Sequence, residues 1–169
     1  DYNRGSINSL LGSPGAAMKR MLVCLLVIGV IMLTTYFAKE WTNKAKSEYN
    51  KGVDFSHRED WATAIACYSE AIRLDPDLAD AYYGRGVAYG HLKEYDKAIA
   101  DFTEAIRINP DYAAAYNGRG LAYGMKGELD KAIADFTDAI RINPDFAEAY
   151  DNRGVTYGKR GEFDNAISG

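Results

Sequence analysis

The sequence predicts an all-α protein: an α-solenoid of stacked antiparallel helix pairs, preceded by a single hydrophobic N-terminal helix. Pro76, Pro110 and Pro144 stand 34 residues apart, and most residues between them recur at the same interval. A fixed period of this length is typical of stacked repeats rather than of one globular core. Upstream, residues 21–38 form an apolar run without a charge, which spans roughly 27 Å as a helix at about 1.5 Å per residue.

The N-terminal part divides into two segments. Residues 1–17 show no periodicity, and we expect an unstructured or non-native leader there. Residues 18–44 contain the apolar run and a juxtamembrane linker. The run is either an uncleaved signal anchor or a cleaved signal peptide. Cleavage after Ala38 would place Tyr36 where the peptidase prefers a small residue, which favours the anchor.

The location of the protein follows from these alternatives. An anchor predicts a single-pass membrane protein held through residues 21–38, whereas a cleaved signal predicts a secreted or periplasmic one. Lysines follow the apolar run, and Lys19 and Arg20 precede it, so charge alone does not decide the orientation. The usual behaviour of a first hydrophobic segment favours repeats on the extracytoplasmic side.

The repeats occupy residues 45–78, 79–112 and 113–146, and a truncated fourth repeat covers residues 147–169. Position numbers below count from the first residue of each repeat. Apolar residues follow helical spacing within each unit, and breaks near Lys93 and Gly127 separate a first helix A from a second helix B. Small residues recur at three positions: Gly52, Gly86, Gly120 and Gly154 at position 8; Ala64, Ala98, Ala132 and Ala166 at position 20; and Ala71, Ala105 and Ala139 at position 27. Aromatic residues recur at two positions: Phe55, Tyr89, Tyr123 and Tyr157 at position 11, and Tyr68, Phe102 and Phe136 at position 24.

This order of aromatic, glycine, alanine and proline residues resembles the tetratricopeptide repeat, over residues 45–169. Two positions depart from the pattern of that family. Position 15, usually glycine, is Glu59 and Lys93 in the first two units. Position 7, usually apolar, is basic, and we expect Arg119 and its equivalents to pair with acidic residues such as Asp135, within or between repeats.

The resemblance implies a binding groove on the concave face, formed by positions 2, 5, 9 and 12 of helix A. Glycine fills position 12 in three successive units, although it weakens a helix by up to about 1 kcal/mol relative to alanine. We interpret this as room for the close approach of a peptide backbone; plain duplication of a repeat is the alternative. The groove residues carried over are Tyr49, Val53, Tyr83, Val87, Gly90, Asn117, Leu121, Gly124, Asp151, Val155 and Gly158.

Several other functions find little support in the sequence. Residues 45–169 hold 15 Lys and Arg against 22 Asp and Glu, so we expect no nucleic-acid partner. His57 and His91 lack further metal ligands near them, no nucleophile lies with a base, and Cys24 and Cys67 form no disulfide framework. We therefore expect no enzyme activity, no metal and no cofactor.

The sequence predicts a membrane-anchored interaction scaffold that binds a peptide or a partner's helix in the groove. Some family members clamp a carboxylate tail with Lys, Asn and Arg at positions 2, 5, 6 and 9; here those positions include Tyr49, Gly84, Ala114 and Gly118. An alternative is a recruiting arm of an enzyme whose catalytic domain lies beyond residue 169. Self-association through the open C-terminal end is a further possibility.

Overall fold

The structure is a computed structural model that describes the backbone of residues 14–168 and the side chains of residues 15 and 18–161. Seven α-helices and no strand occur in this part of the chain. The predicted all-α fold of helix pairs is confirmed. The helices are α1 Pro14–His57, α2 Trp61–Leu74, α3 Ala79–His91, α4 Tyr95–Ile108, α5 Ala113–Met125, α6 Leu129–Ile142 and α7 Ala147–Ser168.

The chain divides into two units after Trp41. In the first unit, α1 carries the apolar run, whose side chains are all exposed. By length and composition α1 is able to cross a membrane, a property that signal sequences near an N-terminus share. Of the predicted leader, residues 1–13 lie outside the described residues. Residues 14–17 belong to α1, because proline suits the first position of a helix and alanine favours helix.

The predicted linker is helical rather than a separate connection. Residues 39–44 read KEWTNK and lie within α1. They contain neither glycine nor proline, the residues that most often interrupt a helix. The C-terminal part of α1 is therefore helix A of the first repeat.

In the second unit, α3 and α5 each pack against the helix B of their own repeat and of the preceding one, and α7 packs against α6. An aromatic residue at position 24 of helix B fills the centre of each contact: Tyr68, Phe102 and Phe136 are at most 3% exposed. Alanines pack around these rings, and those at positions 20 and 27 have no exposed surface in the three complete repeats. Small residues thus allow close helix packing, as the sequence pattern indicates.

The turn between helices A and B requires one residue with positive φ. It is position 15 in each complete repeat: Glu59 at 58°, Lys93 at 60° and Gly127 at 79°. Glycine adopts this conformation freely, whereas other residues pay about 1–2 kcal/mol. The first two turns are therefore strained at the positions where this sequence departs from the family pattern.

The truncated fourth repeat contributes one helix. Residues 147–168 form the single helix α7, which continues past position 15, here Gly161. Gly161 therefore lies within a helix, unlike the turn residues at position 15 of the three complete repeats.

Candidate functional site

A groove lies between the A helices of the second and third repeats. Its cavity of about 480 Å³ is open to solvent and is bounded by α3 and α5, with contributions from α4 and α7. The residues that line it are mostly apolar. They are Tyr83, Val87, Gly90, His91, Tyr95, Phe102, Asn117, Gly118, Leu121, Ala122, Met125, Phe146 and Glu148.

The glycines at position 12 leave open space beside the helix, and one of them, Gly90, lines the cavity. A methyl group added to Gly90 would meet no atom within 4 Å, and one added to Gly124 would meet only the Ala132 Cβ at 3.9 Å. Packing inside the fold therefore does not require glycine at either position. Beside them, the side chains of Leu121 and Met125 are 44% and 62% exposed and offer apolar surface to a ligand.

Aromatic rings form the second part of the groove. The ring of Tyr83 lies 5.7 Å from that of Phe102 and 5.1 Å from that of Tyr112, measured between centroids. The Tyr112 hydroxyl donates a hydrogen bond of 2.8 Å to the Asp80 carboxylate. Burial raises the pKa of Tyr83, and the negative charge of Glu148 raises it further. Glu148 lines the same cavity as Tyr83.

Asn117 lies at the base of the groove. It is only 6% exposed, and its Oδ1 accepts a hydrogen bond of 3.0 Å from Asn152 Nδ2 in α7. The sequence analysis placed Asn117 among the groove residues. The structure keeps it in the cavity lining, but its carbonyl oxygen already has a partner within the protein.

The cavity brings together only part of the predicted set. Tyr83, Val87, Gly90, Asn117 and Leu121 line it. Gly124 lies beside the lining residue Met125. The residues predicted from the first and fourth repeats are outside the cavity. In α1, Tyr49 and Val53 are half-buried; in α7, Asp151, Val155 and Gly158 are exposed.

The residues at position 13 and Glu148 line the cavity but were not predicted from the sequence. His91 and Met125 follow Val87 and Leu121 by four residues, so helical spacing alone places them on the same face. His91 also stacks on Trp61, with 3.9 Å between ring centroids and 5° between planes. Glu148 is at position 2, which the family resemblance assigns to the concave face.

The basic residues at position 7 have a structural role. Arg85 and Arg119 each donate two hydrogen bonds of 2.8 Å to the carboxylate at position 23 of the same repeat, Asp101 and Asp135 respectively. Each also donates to a hydroxyl of the preceding repeat; for Arg119 this is Thr103 Oγ1, at 3.1 Å. The predicted pairing is thus found, with the carboxylate inside the repeat and the hydroxyl across the boundary.

Other chemistry has little support in the described part of the chain. No group of three or more His, Cys, Asp and Glu residues there could hold a metal ion. Both cysteines are free, and burial raises the pKa of the Cys67 thiol, which lowers its reactivity.

Comparison with known proteins identifies the family. A family profile described as Tetratricopeptide repeat matches residues 79–112 and 113–146, and one described as TPR repeat matches residues 52–93. The chain belongs to the tetratricopeptide repeat family. No curated protein sequence is significantly similar to it.

Solved structures with the same fold include MamA, which is 33% identical with a TM-score of 0.67 over 75% of this chain and 69% of MamA. The first TPR of Spaghetti (RPAP3), solved with the HSP90 peptide SRMEEVD, is 26% identical with a TM-score of 0.70, over 71% of this chain and 95% of the other. The second TPR domain of human RPAP3, in complex with the HSP70 peptide SGPTIEEVD, is 29% identical with a TM-score of 0.66, over 68% of this chain and 95% of the other.

Proposed function

We propose that this protein is a membrane-anchored interaction scaffold without catalytic activity, which binds an extended peptide in the groove between α3 and α5. The observation that carries the proposal is the apolar cavity lined by successive A helices. The proposed binding residues remain those of the sequence analysis, with Tyr83, Val87 and Leu121 at the centre.

Three features support a peptide as the ligand. The cavity is open to solvent rather than enclosed, as the binding of a polypeptide segment requires. Gly90 and Gly124 leave room for a backbone to approach the helices, and Leu121 and Met125 offer exposed apolar surface beside it. Two relatives of similar fold were solved with peptides bound.

The apolar run of α1 supports membrane anchoring. It has no charge between residues 21 and 38, and its described side chains are exposed. Exposed leucine, valine and isoleucine side chains in such number are unfavourable in water, whereas a lipid core stabilises them. We propose the repeats on the extracytoplasmic side, with a secreted or periplasmic protein as the outcome if the run is cleaved.

The groove is tested by filling it. Gly124→Gln places a neutral side chain where the structure has open space, and the A helix tolerates or gains from it. We expect the full chain in lipid nanodiscs to select peptides from a displayed random heptapeptide library. Selection should fail with Gly124→Gln and persist with Ala134→Gln, which adds the same side chain on an exposed part of α6. Equal selection by both variants would contradict the groove as the binding site.

A further inference from the structure

We infer that the groove recognises a peptide that carries an Arg or Lys side chain between apolar residues, with the cation held by Glu148 and the ring of Tyr83. This inference rests on the proposed function, because it specifies the ligand of the same groove. It follows from the charges on the cavity wall and from the aromatic group beside them.

The charge on the cavity wall is negative. Among the described residues that line the cavity, Glu148 is the one Asp, Glu, Lys or Arg side chain. It is exposed, and no ion pair within the described part of the chain neutralises it. A carboxylate at the edge of an apolar cavity attracts a cationic group more strongly than it would in open water, because the cavity walls exclude solvent.

The neighbouring acidic residues extend the same field. Asp80 and Asp151 are exposed at positions 2 and 5 of α3 and α7, which the family pattern assigns to the concave face. The basic residues on this face lie at the two ends of the array: Lys46 at position 2 of the first repeat and Lys159 at position 13 of the fourth. The middle of the groove therefore has no Lys or Arg to hold an acidic ligand.

The aromatic wall provides the second element of a cation site. Tyr83 and Phe102 line the same cavity as Glu148. A guanidinium or ammonium group gains from lying over an aromatic face, and it gains more when water is partly excluded. The same protein uses this contact elsewhere: Arg119 lies 5.5 Å from the ring centroid of Tyr116. An Arg or Lys between apolar neighbours would place its charge at Glu148 while Leu121 contacts those neighbours.

Selection of peptides decides between the ligand classes. The full chain in nanodiscs is used to select from a displayed random heptapeptide library, and Gly124→Gln serves as the blocked groove. We expect the peptides that wild type enriches and Gly124→Gln does not to contain Arg or Lys between apolar residues. Enrichment of acidic or uncharged peptides by the same criterion would overturn this inference and leave the proposed function intact. If wild type enriches no peptide that Gly124→Gln fails to enrich, both this inference and the proposed function are overturned.

Titration then tests Glu148 directly. A fluorescein-labelled peptide from the selection is titrated by anisotropy against wild type, Glu148→Gln and the control Glu104→Gln, whose carboxylate lies on α4 and pairs with Arg107. We expect Glu148→Gln to weaken binding about tenfold, the value of one charge-assisted contact, and added salt to weaken wild type more than this variant. Unchanged affinity in Glu148→Gln would overturn the assignment.

Discussion

The glycines of the A helices fall into two groups that differ in their surroundings. At position 8, a methyl group on Gly86 would lie 2.9 Å from the Phe102 ring, and on Gly120 it would lie 2.7 Å from the Phe136 ring. At position 12, Gly90 and Gly124 have open space. The first group is required by packing inside the fold, whereas the second group is free to serve a ligand.

Alanine substitution separates the two groups. We expect Gly90→Ala and Gly124→Ala each to raise the free energy of unfolding by up to about 1 kcal/mol, because alanine favours helix and meets no neighbour. Gly86→Ala should lower it by about 1–3 kcal/mol through overpacking against Phe102. Thermal and chemical unfolding followed by circular dichroism measures both. Destabilisation by Gly90→Ala would contradict the open space.

The strained turns provide a second prediction at the scale of single residues. Lys93 adopts a φ of 60°, so Lys93→Gly relieves a left-handed conformation that costs about 1–2 kcal/mol. The gain is reduced by the greater freedom of glycine in the unfolded chain, and we expect a net increase in unfolding free energy of about 0.5–1 kcal/mol. The matched change Gly127→Ala should destabilise the third repeat by a similar amount. If both changes shifted the free energy of unfolding in the same direction, strain at position 15 would be contradicted.

At the scale of the helix pair, the Arg119–Asp135 contact links α5 to α6. The carboxylate side chain is 7% exposed and the guanidinium side chain 18%, and the hydrogen bonding that Arg119 donates to the Asp135 carboxylate raises the pKa of Arg119. Removal of either partner leaves an unpaired charge in a site that is largely shielded from solvent. We expect about 2 kcal/mol of destabilisation for Arg119→Leu and also for Asp135→Leu, below the 3–5 kcal/mol typical of fully buried pairs.

The double variant tests whether the two side chains act as a pair. Arg119→Leu/Asp135→Leu removes both charges, so we expect its stability to lie within about 1 kcal/mol of wild type, with a coupling of about 3 kcal/mol or more in the double-mutant cycle. Cys67 occupies the equivalent of Asp135 in the first repeat, where Lys51 instead contacts Glu48 at 2.8 Å. Independent, additive losses from the two single changes would contradict the pairing.

The helix pairs show what a repeated sequence determines. The 34-residue spacing predicted the A and B helices, the turns near Lys93 and Gly127, and the Arg–Asp contacts, because each depends on residues that recur. One recurring feature escaped prediction because it depends on how successive repeats pack. The glycines at position 6, Gly84 and Gly118, lie against the aromatic ring of the preceding repeat, a contact that spacing within one unit does not reveal.

For the groove, helical spacing predicted the central residues and missed others. Position 9 identified Val87 and Leu121, whose place on the helix face follows from periodicity alone. Asn117 has the same helical face, but its hydrogen bond with Asn152 depends on the position of the next helix. The contribution of Glu148 depends on how the fourth repeat lies beside the second and third, which is a property of packing rather than of spacing.

At the scale of the whole molecule, the segment 21–38 is the proposed membrane anchor of the repeats. A charged side chain at the centre of a spanning helix costs about 2.5–3.5 kcal/mol during insertion. Val27→Arg combined with Ile28→Arg places two charges near the middle of the run. We expect this variant to be released from membranes by alkaline carbonate, whereas wild type stays in the membrane pellet. Ala66→Arg combined with Ala134→Arg adds the same charges at exposed positions of α2 and α6 and should behave as wild type.

The first residue of the membrane-bound protein distinguishes an uncleaved anchor from a cleaved signal peptide. N-terminal sequencing of the membrane-bound protein should find the apolar run still attached, because Tyr36 and Ala38 form a poor cleavage site. A soluble product that begins near Lys39 would instead establish a cleaved signal and contradict the anchor. The repeats of such a product would still fold around Tyr68, Phe102 and Phe136, because the described side chains before Trp41 are exposed and are not among the buried core residues. Loss of the anchor would therefore change the location of the groove but leave the groove itself intact.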